Sequence, residues 1–180
     1  PWQGTTLQWF SELASDRAMW QSVWTSVVVA FFVVLIALPI GTAAALILTS
    51  LHARARGFLY ALMVSPLLTP GVVIGISTLV LWRQLNVGGG TFLIVVAQSS
   101  FIICYVMLMV AARLQRFDRT QEEAALGLGA SKFMVFRRIL LPYLKPSLIA
   151  AAFLAVLQSV ENYNTTLFVR GFDTPLTVYI

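Results

Sequence analysis

VWTSVVVAFFVVLIALPIGTAAALIL, residues 23–48, carries no Asp, Glu, Lys or Arg, and the uncharged run around it extends from Ala18 to Ala53. Wound as a helix, the 23–48 stretch measures roughly 39 Å at about 1.5 Å per residue. That exceeds a hydrocarbon core of about 30 Å, so the stretch is predicted to cross a membrane at a tilt. Pro39 and Gly41 lie inside it and are expected to kink it, which a spanning helix tolerates when its neighbours satisfy the freed carbonyls.

The rest of the chain is of the same kind. Of its 180 residues, 59% are hydrophobic and 11% charged, against about 25% charged in a soluble domain. The single cysteine, Cys104, lies in an apolar run, which excludes an internal disulfide and gives no metal cluster. The single histidine, His52, sits beside Arg54 and Arg56, as expected of a solvated basic loop. The net charge of +5 comes from basic residues flanking apolar runs. That pattern points to membrane topology and lipid headgroups, not to nucleic acid.

Outward from the first span, the chain reads as an all-α integral membrane protein with transmembrane helices over 22–50, 57–82, 91–112 and 146–169. Pro66, Pro70, Gly71 and Gly75 should bend or break the second. Gln98, Ser99 and Ser100 lie mid-way along the third, where they can bond across to another helix or line a path. Residues 1–20, with Trp2, Trp9, Phe10 and Trp20, read as an external segment without a signal peptide. The loops at His52–Arg56 and 113–145 hold Arg54, Arg56, Arg113, Arg116, Arg119, Lys132, Arg137, Arg138 and Lys145, against Arg17, Arg83 and Arg170 elsewhere. The bias places those two loops in the cytoplasm and both ends of the chain outside, a parity that four spans satisfy.

The 113–145 loop is too patterned for a plain connector. Thr120 and Glu123 have capping-box spacing, and Glu122 and Glu123 lie at the positive end of the helix they would start. Gly127 and Gly129 would end that helix or bend it, Ser131 would start a second one, and Pro142 would stop it. Phe133, Phe136, Ile139 and Leu140 fall on one face of the second helix. By composition alone, an interfacial helix lying on the membrane is the competing reading. The spacing is more particular than that. Glu123-Ala124-Ala125, then Gly129, Ile139 and Leu141-Pro142, resembles the EAA loop of binding-protein-dependent ABC importer permeases at each defining position.

The resemblance implies the type I permease fold, with the four visible spans similar to family helices two to five. A first and a last helix would then be missing from this chain, with residues 1–20 following the one and 171–180 leading to the other. Pro66, Pro70 and residues 72–79 resemble the family's proline-bearing third helix. The layout is most similar to the second permease of spermidine/putrescine-type importers. The family loop docks on a separate ATPase, so Glu123, Ala124, Ala125, Gly129, Ile139, Leu141 and Pro142 become the ATPase-coupling residues, with Phe133 and Ile139 as anchors to the membrane helices. The implied partners are ABC ATPase subunits, a second permease subunit, a periplasmic or lipid-anchored solute-binding protein and membrane lipid, in a bacterial inner membrane. No cofactor is expected in this chain. ATP and Mg would sit on the ATPase, since the chain has no G-x-x-x-x-G-K-[ST] and Gly127–Lys132 has the wrong spacing for one.

Gln158, Glu161, Asn162 and Thr165 fall at i, i+3, i+4 and i+7, one face of the last predicted span. A carboxylate near the bilayer centre costs about 2.5–3.5 kcal/mol by insertion scales, so it normally faces protein or water. The stripe is a candidate substrate path in which Glu161, with Tyr163 beside it, would meet a cationic solute. Two other readings stand beside it: Glu161 pairs with an Arg of a partner permease, or the helix leaves the membrane near Val160. A polyamine leads as solute by resemblance, with iron, thiamine and sulfate as alternatives. An intramembrane enzyme would need a convergent nucleophile, base or metal set, and Cys104, Glu161 and scattered serines do not make one. A channel would need no ATPase-docking loop.

The charge bias gives a direct test of topology. A cysteine placed at Lys132 should resist membrane-impermeant thiol reagents in sealed cells and react once the membrane is opened; labelling in sealed cells would overturn the orientation.

Overall fold

The computed structural model describes the backbone of residues 8–179 and the side chains of 12–179. It holds ten α-helices and no strand among the described residues. α1 is Gln8–Ser15, α2 Arg17–Ser50, α3 Ala53–Leu68, α4 Gly71–Gln84 and α5 Thr91–Leu114. α6 is Thr120–Gly127 and α7 Lys132–Val135; a π-helical turn, Phe136–Leu140, leads into α8, Leu141–Val160. α9 is Asn164–Val169 and α10 Leu176–Tyr179. Of the expected external segment 1–20, residues 1–7, with Trp2, lie outside the described residues, as do the side chains of Trp9 and Phe10.

α2 begins where Asp16 accepts from the amides of Ala18 and Met19, satisfying two donors that an uncapped helix leaves open. Its buried face is a stripe at four-residue steps, Val29, Val33, Ala37, Gly41 and Ala45. It packs on α5, the central helix, along Ile102, Val106 and Val110. The approach is closest at Gly41, where a Cβ would stand 2.7 Å from the Cβ of Val106 and 2.9 Å from the Ile103 carbonyl oxygen. α8 and α9 cover other sides of α5. α3 has no buried residue, and large apolar side chains such as Phe31 (62% exposed), Phe58 (71%) and Leu68 (81%) face outward. In water such a surface would be untenable, whereas against lipid tails or another membrane helix it costs nothing.

The helix boundaries correct several expectations. The predicted 57–82 span is two helices, α3 and α4, bent by 97°. Pro70 accounts for the break, because its ring drives the preceding residue out of the α region, and Thr69 is extended at φ −89°, ψ 128°. α3 starts at Ala53, so Arg54 and Arg56 lie in its first turn instead of a loop. At about 24 Å, α3 alone falls short of a hydrocarbon core. The predicted 146–169 span is also divided: α8 starts at Leu141 and ends at Val160, and α9 is separate. Pro142 does not stop a helix. It follows the π-turn in a helical run from Lys132 to Val160. In that turn the Leu141 amide donates to the Phe136 carbonyl, five residues back, so the backbone is already widened where the Pro142 ring would crowd the preceding turn.

The C-terminal segment returns to α2. The Leu176 amide donates to Ser26 Oγ at 2.8 Å, and the Tyr179 hydroxyl donates to Asp16. Both described ends therefore lie at one end of the bundle.

The α2–α5 seam should be the least tolerant packing surface. Gly41→Val is expected to lower thermal stability by about 1–3 kcal/mol through overpacking, whereas Gly57→Ala, where a Cβ meets nothing within 4 Å, should be neutral or slightly stabilising. Thermal unfolding of the two purified variants compares them directly.

Candidate functional site

The two helix breaks face each other. Thr69, between α3 and α4, and Glu161–Tyr163, between α8 and α9, border one cavity of about 250 Å³. They are held together by α4 packing on α9 through small residues: a Cβ at Gly75 would stand 2.8 Å from Phe168 Cδ2 and 3.2 Å from the Asn164 carbonyl oxygen. Thr165 Oγ1 donates to the Gly71 carbonyl at 3.4 Å, bridging one break to the other.

All four residues of the predicted polar stripe line this cavity, but not as a helical stripe. Gln158 lies in the last turn of α8, Glu161 is its C-cap, Asn162 lies in the break and Thr165 is in α9. Asn162 Oδ1 accepts from the Thr165 amide at 3.2 Å and so starts α9, which is why the helical periodicity misread the segment. The sequence reading missed Phe101 and Tyr105 from α5 and Thr69 from the opposite break, which also line the cavity. The i, i+4 spacing of Phe101 and Tyr105, close to Gln98, was the available signal.

Each break contributes one helix C-terminus and one N-terminus, so the end dipoles offset each other. Among the described residues, Glu161 is the one charged side chain lining the cavity, and Tyr105, Tyr163 and Phe101 offer aromatic faces. Behind it lies a polar network. Gln98, 1% exposed, donates through Nε2 to Thr166 Oγ1 at 2.8 Å and accepts from Ser159 Oγ at 2.6 Å. One α5 side chain thereby ties the segment before the second break to the segment after it. Ser100 bonds back to its own helix, and Ser99 Oγ is buried without a partner.

The 113–145 segment is built differently from the predicted capping box. Asp118 replaces Thr120 as the cap, its Oδ1 accepting from the Thr120 amide at 3.0 Å and the Thr120 hydroxyl at 2.8 Å. The hydroxyl, then the amide, hold the Asp118 carboxyl below its ordinary range. The cap is thus fully present above the ordinary carboxylate pKa and is lost as pH falls through the lowered one. α6 ends in a Schellman motif: Gly129, at φ +85°, donates to the Leu126 carbonyl and Ala130 donates to Ala125, both at 3.0 Å. Ser131 Oγ then caps α7 by accepting from the Met134 amide.

Glu123, Ala124 and Gly129 are exposed, Ala125 and Ile139 half-buried, and Leu141 and Pro142 exposed. Phe133 is 70% exposed and does not anchor the segment. Val135 and Leu144, both buried, do so instead, because Phe133 lies a half-turn away from the face that Val135 turns inward. The stems are tied by other contacts. Arg119 donates to the Thr49 carbonyl in the last turn of α2 at 3.1 Å. Arg113 stacks 4.2 Å from the Tyr143 ring centroid, and the Tyr143 hydroxyl donates to the Arg113 carbonyl at 3.1 Å. No group of three or more His, Cys, Asp or Glu that could hold a metal occurs among the described residues.

Residues 37–178 match the family described as "Binding-protein-dependent transport system inner membrane component". The chain is 31% identical over 181 aligned residues to the spermidine/putrescine transport system permease protein PotC of Escherichia coli K12, covering 99% of this chain and 69% of that protein. It is 33% identical to the putrescine transport system permease protein PotI of the same strain, over 94% of this chain and 63% of that one. Among solved structures, a bacterial ABC transporter involved in the import of the acidic polysaccharide alginate aligns with a TM-score of 0.75 at 19% identity, over 94% of this chain and 60% of that chain.

The geometry of the α6–α7 turn separates its two glycines. Gly129→Ala should cost about 1 kcal/mol locally, because a Cβ is disfavoured at positive φ. Gly127→Ala, helical and facing open space, should leave the turn intact. Limited proteolysis is the readout: faster cleavage between α6 and α7 in the first variant and no change in the second.

Proposed function

The chain belongs to the family of binding-protein-dependent transport system inner membrane components, and from that premise we propose that it is the permease subunit of an ATP-driven importer for a polyamine of the spermidine/putrescine class. The observation that carries the solute class is the cavity between the two broken helices, with Glu161 as its charged side chain and three aromatic rings around it. Irregular backbone at membrane depth is tolerated where it lines a cavity, and paired broken helices are a recurring way to build a solute site. A polycation gains charge attraction from the carboxylate and cation–π attraction from the rings. One carboxylate is enough to lower the barrier and too little to trap the solute on its way inward. The likeness to permease proteins named for spermidine and putrescine favours the same class over iron, thiamine or sulfate.

The exposed α6–α7 segment is proposed as the surface that meets the ATPase, where ATP and Mg would be held. Leu128, 90% exposed, and Phe133 provide the apolar contact, and the positive-φ turn at Gly129 sets the angle between the two short helices. Glu123 supplies the charged handle, Ala124 and Ala125 the close approach, and Ile139, Leu141 and Pro142 the passage into α8. A second permease subunit would complete the path, and a solute-binding protein would deliver the polyamine from outside.

Glu161→Gln should reduce ATP-driven uptake of labelled spermidine by on the order of tenfold, the equivalent of about 1.4 kcal/mol, while subunit assembly and basal ATP hydrolysis persist; Glu161→Asp should be milder. Normal uptake by Glu161→Gln would remove the carboxylate from the path. Lost assembly, restored by reversing the charge of an Arg on the partner permease, would make it a structural ion pair instead.

A further inference from the structure

A second cleft, of about 210 Å³, opens between the end of α5 and the start of α8, away from the Glu161 cavity. Its lining changes character along its length. Met109 and Ala112 are apolar, Ser147 faces Met109 across the cleft, and Arg113 and Arg116 stand toward the 113–145 segment. Ser147 Oγ donates to the Met109 carbonyl at 3.2 Å, which keeps α5 and α8 together at the apolar end. Among the described residues no carboxylate lines the cleft. The acidic residue nearest in sequence, Asp118, has its Oδ1 engaged by Thr120.

Arg113 is held in place rather than neutralised. Its guanidinium lies over the Tyr143 ring, Nε donates to the Tyr143 carbonyl at 3.4 Å, and Phe117 backs the ring at 5.0 Å. That fixes the plane of the guanidinium and leaves its terminal nitrogens for another acceptor. Arg116 is exposed on the next turn. Two cations in one cleft repel each other unless an anion joins them. α5 is about 36 Å long as a helix, so its last turn reaches past a hydrocarbon core of about 30 Å to the level of lipid phosphates.

We propose that this cleft binds an anionic phospholipid, with the phosphodiester between Arg113 and Arg116 and an acyl chain against Met109 and Ala112. Guanidinium groups suit phosphate oxygens because they present paired donors in one plane. The bound lipid would bridge the two stems of the α6–α7 segment, since Arg113 belongs to one and Ser147 follows the other.

The complex, as isolated from membranes in detergent, is titrated with phosphatidylglycerol, phosphatidylcholine and glycerol 3-phosphate, and bound lipid is counted by native mass spectrometry. Phosphatidylglycerol should fill one saturable site and phosphatidylcholine should not. Arg116→Gln should weaken phosphatidylglycerol about fivefold, or ~1 kcal/mol. Arg54→Gln, which removes an exposed cation outside the cleft, should leave the affinity unchanged. Equal losses in the two variants would reduce the effect to diffuse surface charge and overturn the site. Displacement of the lipid by glycerol 3-phosphate would overturn the lipid assignment in favour of a free phosphate ester. The readout is lipid binding, so a failed polyamine reading of Glu161 leaves this test standing, and the reverse holds as well.

Discussion

Inside hydrocarbon, a peptide group that loses its helical partner has no water to turn to, and leaving it bare costs several kcal/mol. A chain that interrupts two of its membrane helices has to bring the interruptions together or wet them. This protein brings them together. The breaks after Leu68 and Val160 share one cavity, Thr165 Oγ1 crosses from one to the other to reach the Gly71 carbonyl, and Asn162 takes the Thr165 amide. Gln98 spends both ends of its amide on the second break, one on each side of it. The cavity follows from that arrangement, and among the described residues Glu161 is the carboxylate that lines it.

Backbones can come this close only where side chains are missing. At Gly75 a methyl group would overlap Phe168, and at Gly41 it would overlap Val106. The second contact sets α2 against α5; the first sets α4 against α9. α5 touches α2, α3, α4, α8 and α9, so it fixes the cavity wall with Phe101 and Tyr105 while its last turn carries Arg113 to the stem of the basic segment. One unbroken helix thus connects the proposed solute site to the proposed coupling surface.

The helical, membrane-crossing character was legible because charge is absent over long runs, a signal that no tertiary contact can reverse. The family was legible from residues 123–142, where fixed gaps matter more than composition. The polar residues of the last predicted span were singled out by their cost in lipid and placed on one helix face, whereas the helix breaks among them, since periodicity cannot show that Asn162 caps a new helix. Pro142 misled in the opposite direction. Its local effect is real, and the π-turn before it absorbs that effect, which depends on backbone hydrogen bonds that no residue type announces. Thr120 and Glu123 matched a capping box, yet Asp118 two residues earlier offered the stronger acceptor.

The π-turn at Phe136–Leu140 holds one residue more than an α-helix of the same rise would need. A single-residue deletion there would convert the turn to ordinary α-helix and leave α7 in nearly the same phase about its axis relative to α8. Phe133, and with it the Leu128 side chain beyond the Gly129 turn, would keep its direction from the same stem. The same deletion elsewhere in the helical run from Lys132 to Val160 would rotate everything before it by about 100°. The short stretch is therefore a place where length can vary without turning the surface that the membrane helix carries.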